Sequence, residues 1–198
     1  DKLYNVLKKK IRKQLSECMF GNFAFPKSMV EMAAIRASHP MSFMDANGGF
    51  SKNDWIKSIN ITCALARKYY KQQKEEIELE LDERRTDRDY LFGRLLSVAD
   101  KMEDYALYKS GIKRPTNAVK LMSSFQVKPY STWGQLFTQL IPYKNQLGGA
   151  GYYQSLIDDI MALFQNGDYE NNLPLSPLYL LGYSAQNRAL SCNHKNNE

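Results

Sequence analysis

The sequence is poor in residues that cross-link chains or bind metals. Only three cysteines, Cys18, Cys63 and Cys192, stand among its 198 residues, and they are far apart. An odd number without paired spacing excludes a disulfide framework and a cysteine zinc site, and points to a reducing, cytoplasmic setting. The two histidines, His39 before a proline and His194 near the end, lack the spacing of metal ligands or of nucleophile partners. No apolar run approaches the ~18 residues of a membrane span. The basic first twenty residues also lack the apolar core and cleavage site of a signal peptide. The glycine clusters "NGG" and "LGGAG" carry neither the Lys-Ser/Thr pair nor the preceding strand of a phosphate-binding loop. Asp158 and Asp159 are adjacent and so diverge by about 100° on a helix, which suits a solvated face better than a shared metal. Asp82, Asp87 and Asp89 alternate with Arg84, Arg85 and Arg88, a pattern of surface ion pairs. No catalytic constellation is left, and the chain reads as non-enzymatic, without a cofactor, a small-molecule substrate or a membrane.

Acidic groups are missing from one long stretch as well. Tyr105 to Ile157 contains no Asp or Glu, yet it holds Lys109, Lys113, Arg114, Lys120, Lys128 and Lys144. Net charge is +6, and residues 1–73 are also strongly basic, whereas residues 74–89 are acidic. An acid-free basic stretch suits a polyanion-binding surface, or a solvated basic face kept for solubility. Aromatics make up 12% of the chain, with thirteen tyrosines, which exceeds what a core of this size needs. Tyr108, Tyr130 and Tyr143 are candidates to stack on unpaired bases beside those cations, while Trp133 falls in register with Leu136, Phe137 and Leu140 and reads as core.

The hydrophobic periodicity is helical almost throughout. Leu3, Leu7, Ile11 and Leu15 form the stripe of a basic amphipathic helix, and Pro26 opens a second helix ending near Ser38. Ser51 or Asn53 caps a third, with Trp55, Ile59, Cys63 and Ala66 on one face. The run "KEEIELELDERRTDRD" alternates Ile77, Leu79 and Leu81 with Glu, so it is a short extended segment or a charged connector. Asp87 then caps a helix whose Leu91, Leu95, Val98, Met102 and Tyr105 recur at spacings of four and three, the seam of a helical bundle. Further helices begin near Thr116, at Ser131, after "GGAG" and at "LYLLGYSAQNRAL". The expected fold is therefore all-α, a bundle of about six to eight helices. Its parts are a basic helical segment over residues 1–80, the main bundle over 81–190 and a disordered tail over 191–198.

Three stretches, in order, carry a more specific signal. "LDERRTDRDYLFGRLLSVADKMEDYAL" resembles the "YxLGRLFAVLExxQ" helix, with its preceding leucine-aspartate segment, of the large subunit of type I-C CRISPR surveillance complexes (Cascade). "RPTNAVKLMSSFQVKPYSTWGQLFTQLIPYKNQL" resembles the region that follows in that family, and "PLSPLYLLGYSAQNRAL" resembles its closing segment. Gly93, Arg94, Gly182, Tyr183, Gln186 and Arg188 match the family pattern, although the Tyr-His of its ending is replaced by Ser184 and Ala185. The resemblance implies that the chain, which begins at Asp1, is the C-terminal part of a longer large subunit, including its small-subunit-like helical bundle. It implies a non-catalytic role: sequence-independent support of guide RNA, target DNA and the displaced strand, together with other surveillance-complex subunits. A separately recruited helicase-nuclease would destroy the target.

The nucleic-acid-binding residues expected on these grounds are Arg94, Lys109, Lys113, Arg114, Lys120, Lys128, Lys144 and Arg188. The competing reading is a helical protein-interaction scaffold that never touches nucleic acid. One local feature asks for a structural reason of its own. Gly93 sits inside a helix, where glycine costs about 1 kcal/mol relative to alanine. A close approach by another helix, such as the one carrying Gly182, would explain it, with Arg94 beside that crossing aimed at a backbone phosphate or at a carboxylate on another subunit; the alternative is that Arg94 pairs with Asp89 or Asp100 and Gly93 is a tolerated defect.

Overall fold

A computed structural model describes residues 26–45, 48–73, 80–146, 150–165 and 167–195, with positions 9, 13, 16 and 17 ahead of them. Apart from those four positions, the basic helix expected over residues 3–20 lies outside the described residues. Seven α-helices follow: α1 (Lys27–Ala37), α2 (Lys52–Gln72), α3 (Arg88–Lys109), α4 (Asn117–Val127), α5 (Pro129–Gln146), α6 (Ala150–Met161) and α7 (Leu178–Lys195). A 3-10 turn, Pro40–Phe43, links α1 to the loop before α2. The described residues contain no strand, only an isolated bridge between Met44 and Phe50. The expected all-α bundle is the observed one.

Local signals set most of the helix starts. The Thr116 hydroxyl accepts a hydrogen bond from the Val119 amide at 3.1 Å, a side-chain cap for the first turn of α4. Pro129 occupies the first position of α5, where its missing N–H costs nothing, so this helix begins two residues before the Ser131 start expected from the sequence. Asp87 stands at the N-cap of α3 as expected, but without a side-chain cap bond. At the other end of the chain, α7 runs on to Lys195, into the stretch set aside as a tail. Buried Leu190 anchors its last turns, and the Ser191 hydroxyl bonds back to the Asn187 carbonyl at 2.8 Å.

α3 is the axis of the molecule. Every residue from Tyr90 to Asp100 is buried, so the helix is enclosed on all sides, beyond the single seam its sequence shows. α4, α5 and α6 pack around it, and its most extensive contact is with α7. That contact explains Gly93. A β-carbon at position 93 would lie 2.8 Å from the Tyr183 amide nitrogen and closer still to the Tyr179 carbonyl oxygen. A β-carbon at Gly182 would in turn meet the backbone of Tyr90, 2.9 Å from its carbonyl carbon. The two helices touch backbone to backbone, each through a glycine.

The N-terminal helices join the same core from the far side of α7. The Ser38 hydroxyl bonds the Tyr179 hydroxyl, the Cys63 thiol donates to the Leu180 carbonyl at 3.4 Å, and the Trp55 and Tyr183 rings lie 6.3 Å apart. Residues 27–73 thus share one apolar cluster with the main bundle. Arg88 fastens the loop before α7, donating to the carbonyls of Asp168, Asn171 and Leu173, while the Asp89 carboxylate accepts from the Ser176 amide at 2.8 Å. These two residues are half-buried and structural, unlike the solvated surface pair their sequence suggested. No described helix is long and apolar enough to cross a membrane.

Two glycine substitutions separate the crossing from ordinary helix propensity. Gly134→Ala in α5 meets nothing within 4 Å, so it should raise stability by up to about 1 kcal/mol. Gly93→Ala gains the same propensity but forces the backbones apart, and should lower the melting temperature by roughly 4–8 °C, on the scale of about 2 kcal/mol for overpacking. Thermal unfolding of both variants checks this, and an unchanged or higher melting temperature for Gly93→Ala would refute the close approach.

Candidate nucleic-acid interface

The cations divide according to what α3 offers them. Glu103 and Asp100 are the acids on the enclosed part of this helix, and both are buried. Glu103 accepts from Arg114 at 2.9 Å and from the Asn117 amide at 2.6 Å, so it holds the guanidinium and the start of α4 together. Arg114 also donates to the Tyr143 hydroxyl at 2.6 Å and to the Pro115 carbonyl at 2.9 Å. Asp100 accepts from the Thr116 hydroxyl at 2.5 Å and the Tyr183 hydroxyl at 2.6 Å. Burial is the main cause that raises the pKa of both carboxyls above their ordinary range. The Tyr183 hydroxyl is pushed well above its usual value, by burial first and then by the Asp100 charge.

Arg94 is enclosed as well. Its Nε donates to the Gln186 side-chain oxygen at 3.0 Å across the α3–α7 crossing, and one terminal nitrogen reaches the Glu83 carbonyl at 3.3 Å. Only 5% of the residue is exposed. Of the cations expected at phosphates, Arg94 is buried on a protein acceptor, and Arg114, its side chain 29% exposed, bonds Glu103. Asp89 and Asp100, the alternative partners for Arg94, are bound elsewhere.

The lysines remain at the surface. Lys113, Lys120 and Lys128 are exposed and make no ion pair among the described residues. Lys113 lies in the loop before α4, Lys120 on α4, and Lys128 at the junction with α5. Lys120 and Ser124, one turn apart, share a side of α4. There α4 and α5 form an open groove of about 480 Å³, with Ser123, Ser124, Ser131, Thr132, Gln135 and Lys128 along it. Hydroxyls, a carboxamide and free ammonium groups are the side chains that meet phosphate and sugar oxygens. The other expected cations lie apart from this face. Lys109 sits over the Tyr105 ring at 4.7 Å, Lys144 donates to Gln154 at 2.6 Å, and exposed Arg188 lines a groove between α2 and α7.

The rings sort in the same manner. Trp133 is core, 2% exposed. Tyr143 is tied to Arg114, and Tyr130 packs edge-on against Tyr169 with ring centroids 5.3 Å apart. Tyr108, 82% exposed, is the one of the expected stacking rings that stands clear of the core.

The model of the family described as CRISPR-associated protein (Cas_Csd1) matches residues 1–191 of the chain. The chain belongs to this family of type I-C Cascade subunits. Among curated proteins none matches it significantly. Family membership gives the Cascade subunit other complex subunits as partners. The positions that carry its resemblance to the family cluster where α3 meets α7: Gly93 and Gly182 at the backbone contact, Arg94 and Gln186 in one hydrogen bond, Tyr183 on Asp100. Of the matching positions, only Arg188 faces solvent. Sequence reasoning missed the acidic partners in the core of this Cascade subunit. Their signal was available: Asp100 and Glu103 flank buried Ala99 and Met102 in a helix otherwise read as a seam.

Arg114→Ala should destabilise the subunit by about 3–5 kcal/mol because it strands the buried Glu103 charge. Lys120→Ala should change stability by less than about 0.5 kcal/mol, and urea unfolding of the two variants measures the contrast. Equal effects would place Arg114 among the surface cations. A second measurement concerns Asp100. Its carboxyl binds a proton more tightly when folded than when unfolded, so its contribution to stability is fully present at low pH and is lost as pH rises toward neutrality. Asp100→Asn should therefore gain on the wild type as pH rises through that range. A stability difference independent of pH would exclude this reading.

Proposed function

We propose that this Cascade subunit is non-catalytic and supports guide RNA, target DNA and the displaced strand through the outer face of α4 and α5. The observation that carries the proposal is the sorting of cations. Arg94 and Arg114 bind protein acceptors, while Lys113, Lys120 and Lys128 stay exposed without an ion pair among the described residues, Lys128 along a hydroxyl-lined groove. The neighbouring stretch contributes no acid that could neutralise them. Such a face offers point charges and donors without a base-reading element, so guide pairing supplies the sequence specificity and the protein supplies backbone contacts. The non-catalytic part is supported by the buried acids: both oxygens of Asp100 and of Glu103 are taken by hydroxyls, a guanidinium or an amide.

The scaffold reading makes the same face a contact for an acidic subunit. Replacing Lys113, Lys120 and Lys128 together by Glu separates the two. Single-strand binding should weaken, and the slope of log affinity against log salt should fall by about 2, near 0.7 for each lost phosphate contact. Fluorescence anisotropy across a salt series measures it. Unaltered DNA binding together with lost subunit assembly would decide for the scaffold.

A further inference from the structure

Away from the α4–α5 groove, the loop before α2, the middle of α3 and the loop before α4 enclose a cleft of about 410 Å³, within the range of small-molecule sites. One wall is apolar, with Phe50 and Pro115; Phe50 is held in place by Trp55, the ring centroids lying 5.8 Å apart. Lys113 stands on the rim and makes no ion pair among the described residues. Asp104 lines the cleft one turn beyond Asp100, and its exposed carboxylate accepts from the Lys52 ammonium at 3.1 Å and 3.3 Å. Asp100 and Arg114, which also border the cleft, are already occupied by internal partners.

From this set we infer that the cleft takes one unpaired nucleotide. The base lies against Phe50 and Pro115, its phosphate meets Lys113, and Asp104, whose exposed carboxylate keeps lone pairs open beside its Lys52 contact, accepts a further hydrogen bond from an exocyclic amino group. Each component answers to part of that ligand. A phosphate alone has no use for the aromatic wall, and an apolar peptide side chain has none for the lysine and the carboxylate. The cleft is too small for a duplex, so the nucleotide must be splayed out of any pairing. Cytosine, adenine and guanine carry the amino group that Asp104 would accept from; thymine and uracil do not. This inference rests on the nucleic-acid reading above and adds to it a subsite that recognises a base.

The test uses the full chain and labelled single strands of equal length: oligocytidine, oligothymidine and an abasic oligomer, followed by anisotropy. Oligocytidine should bind most tightly, and Phe50→Ala should weaken it by about tenfold, the loss of one stacked base, while abasic binding stays unchanged. Phe50→Leu keeps apolar bulk against Trp55 without a π-face and should give the same loss in a protein of near wild-type melting temperature. Equal affinity for oligocytidine and the abasic strand, or a base preference that survives both Phe50 variants, would overturn the subsite and leave the phosphate-binding face standing. Equal affinity for cytidine and thymidine would remove Asp104 from it. No binding to any strand would overturn both readings.

Discussion

The backbone contact between α3 and α7 is the constraint on which the rest of the structure depends. Where Gly93 faces Tyr179 and Gly182 faces Tyr90, no side chain separates the helices. At that distance the register is fixed, since sliding either helix would bring a side chain into the contact. The neighbouring residues then have no freedom of partner: Arg94 meets Gln186, and Asp100 meets Tyr183. Water is excluded there, and buried polar groups must bond one another. Helix propensity is given up at two glycines, and close packing of α3 from Tyr90 to Asp100 offsets it.

That enclosed axis also settles the electrostatics. α3 carries Asp100 and Glu103 into the interior, and the loop before α4 answers with Thr116 and Arg114. One arginine of the acid-free stretch is thereby neutralised by an acid just upstream of it. The cations left over are lysines, whose flexible stems and hydrated heads suit a solvated face that meets phosphate as point charges.

Helix content, several caps and the core role of Trp133 were legible in the residues because they rest on local rules: a 3.6-residue period, a threonine that caps, a proline at a first turn. The close approach at Gly93 was legible too, since an interior glycine in a well-formed helix needs a spatial reason. The destination of each charge was not. Charge runs record which residues are ionised, but pairing is decided by neighbours distant in the chain, as with Arg94 and Gln186 across 92 positions. Arg94 and Arg114 accordingly bond acceptors that no local pattern indicates. α7 likewise runs on past buried Leu190 to Lys195, beyond the point where the apolar pattern of the chain ends.

The sequence by itself determined the all-helical class, the enriched basic stretch and the membership of a Cascade family, because period, composition and motif order are properties of the chain. Only the tertiary structure decided that α3 is buried on every side from Tyr90 to Asp100, that Arg94 and Arg114 bond protein acceptors, and that Phe50, Asp104 and Lys113 border one cleft. The physical reason is that burial and charge pairing are set by which helices touch, and that is fixed by two glycines far apart in sequence.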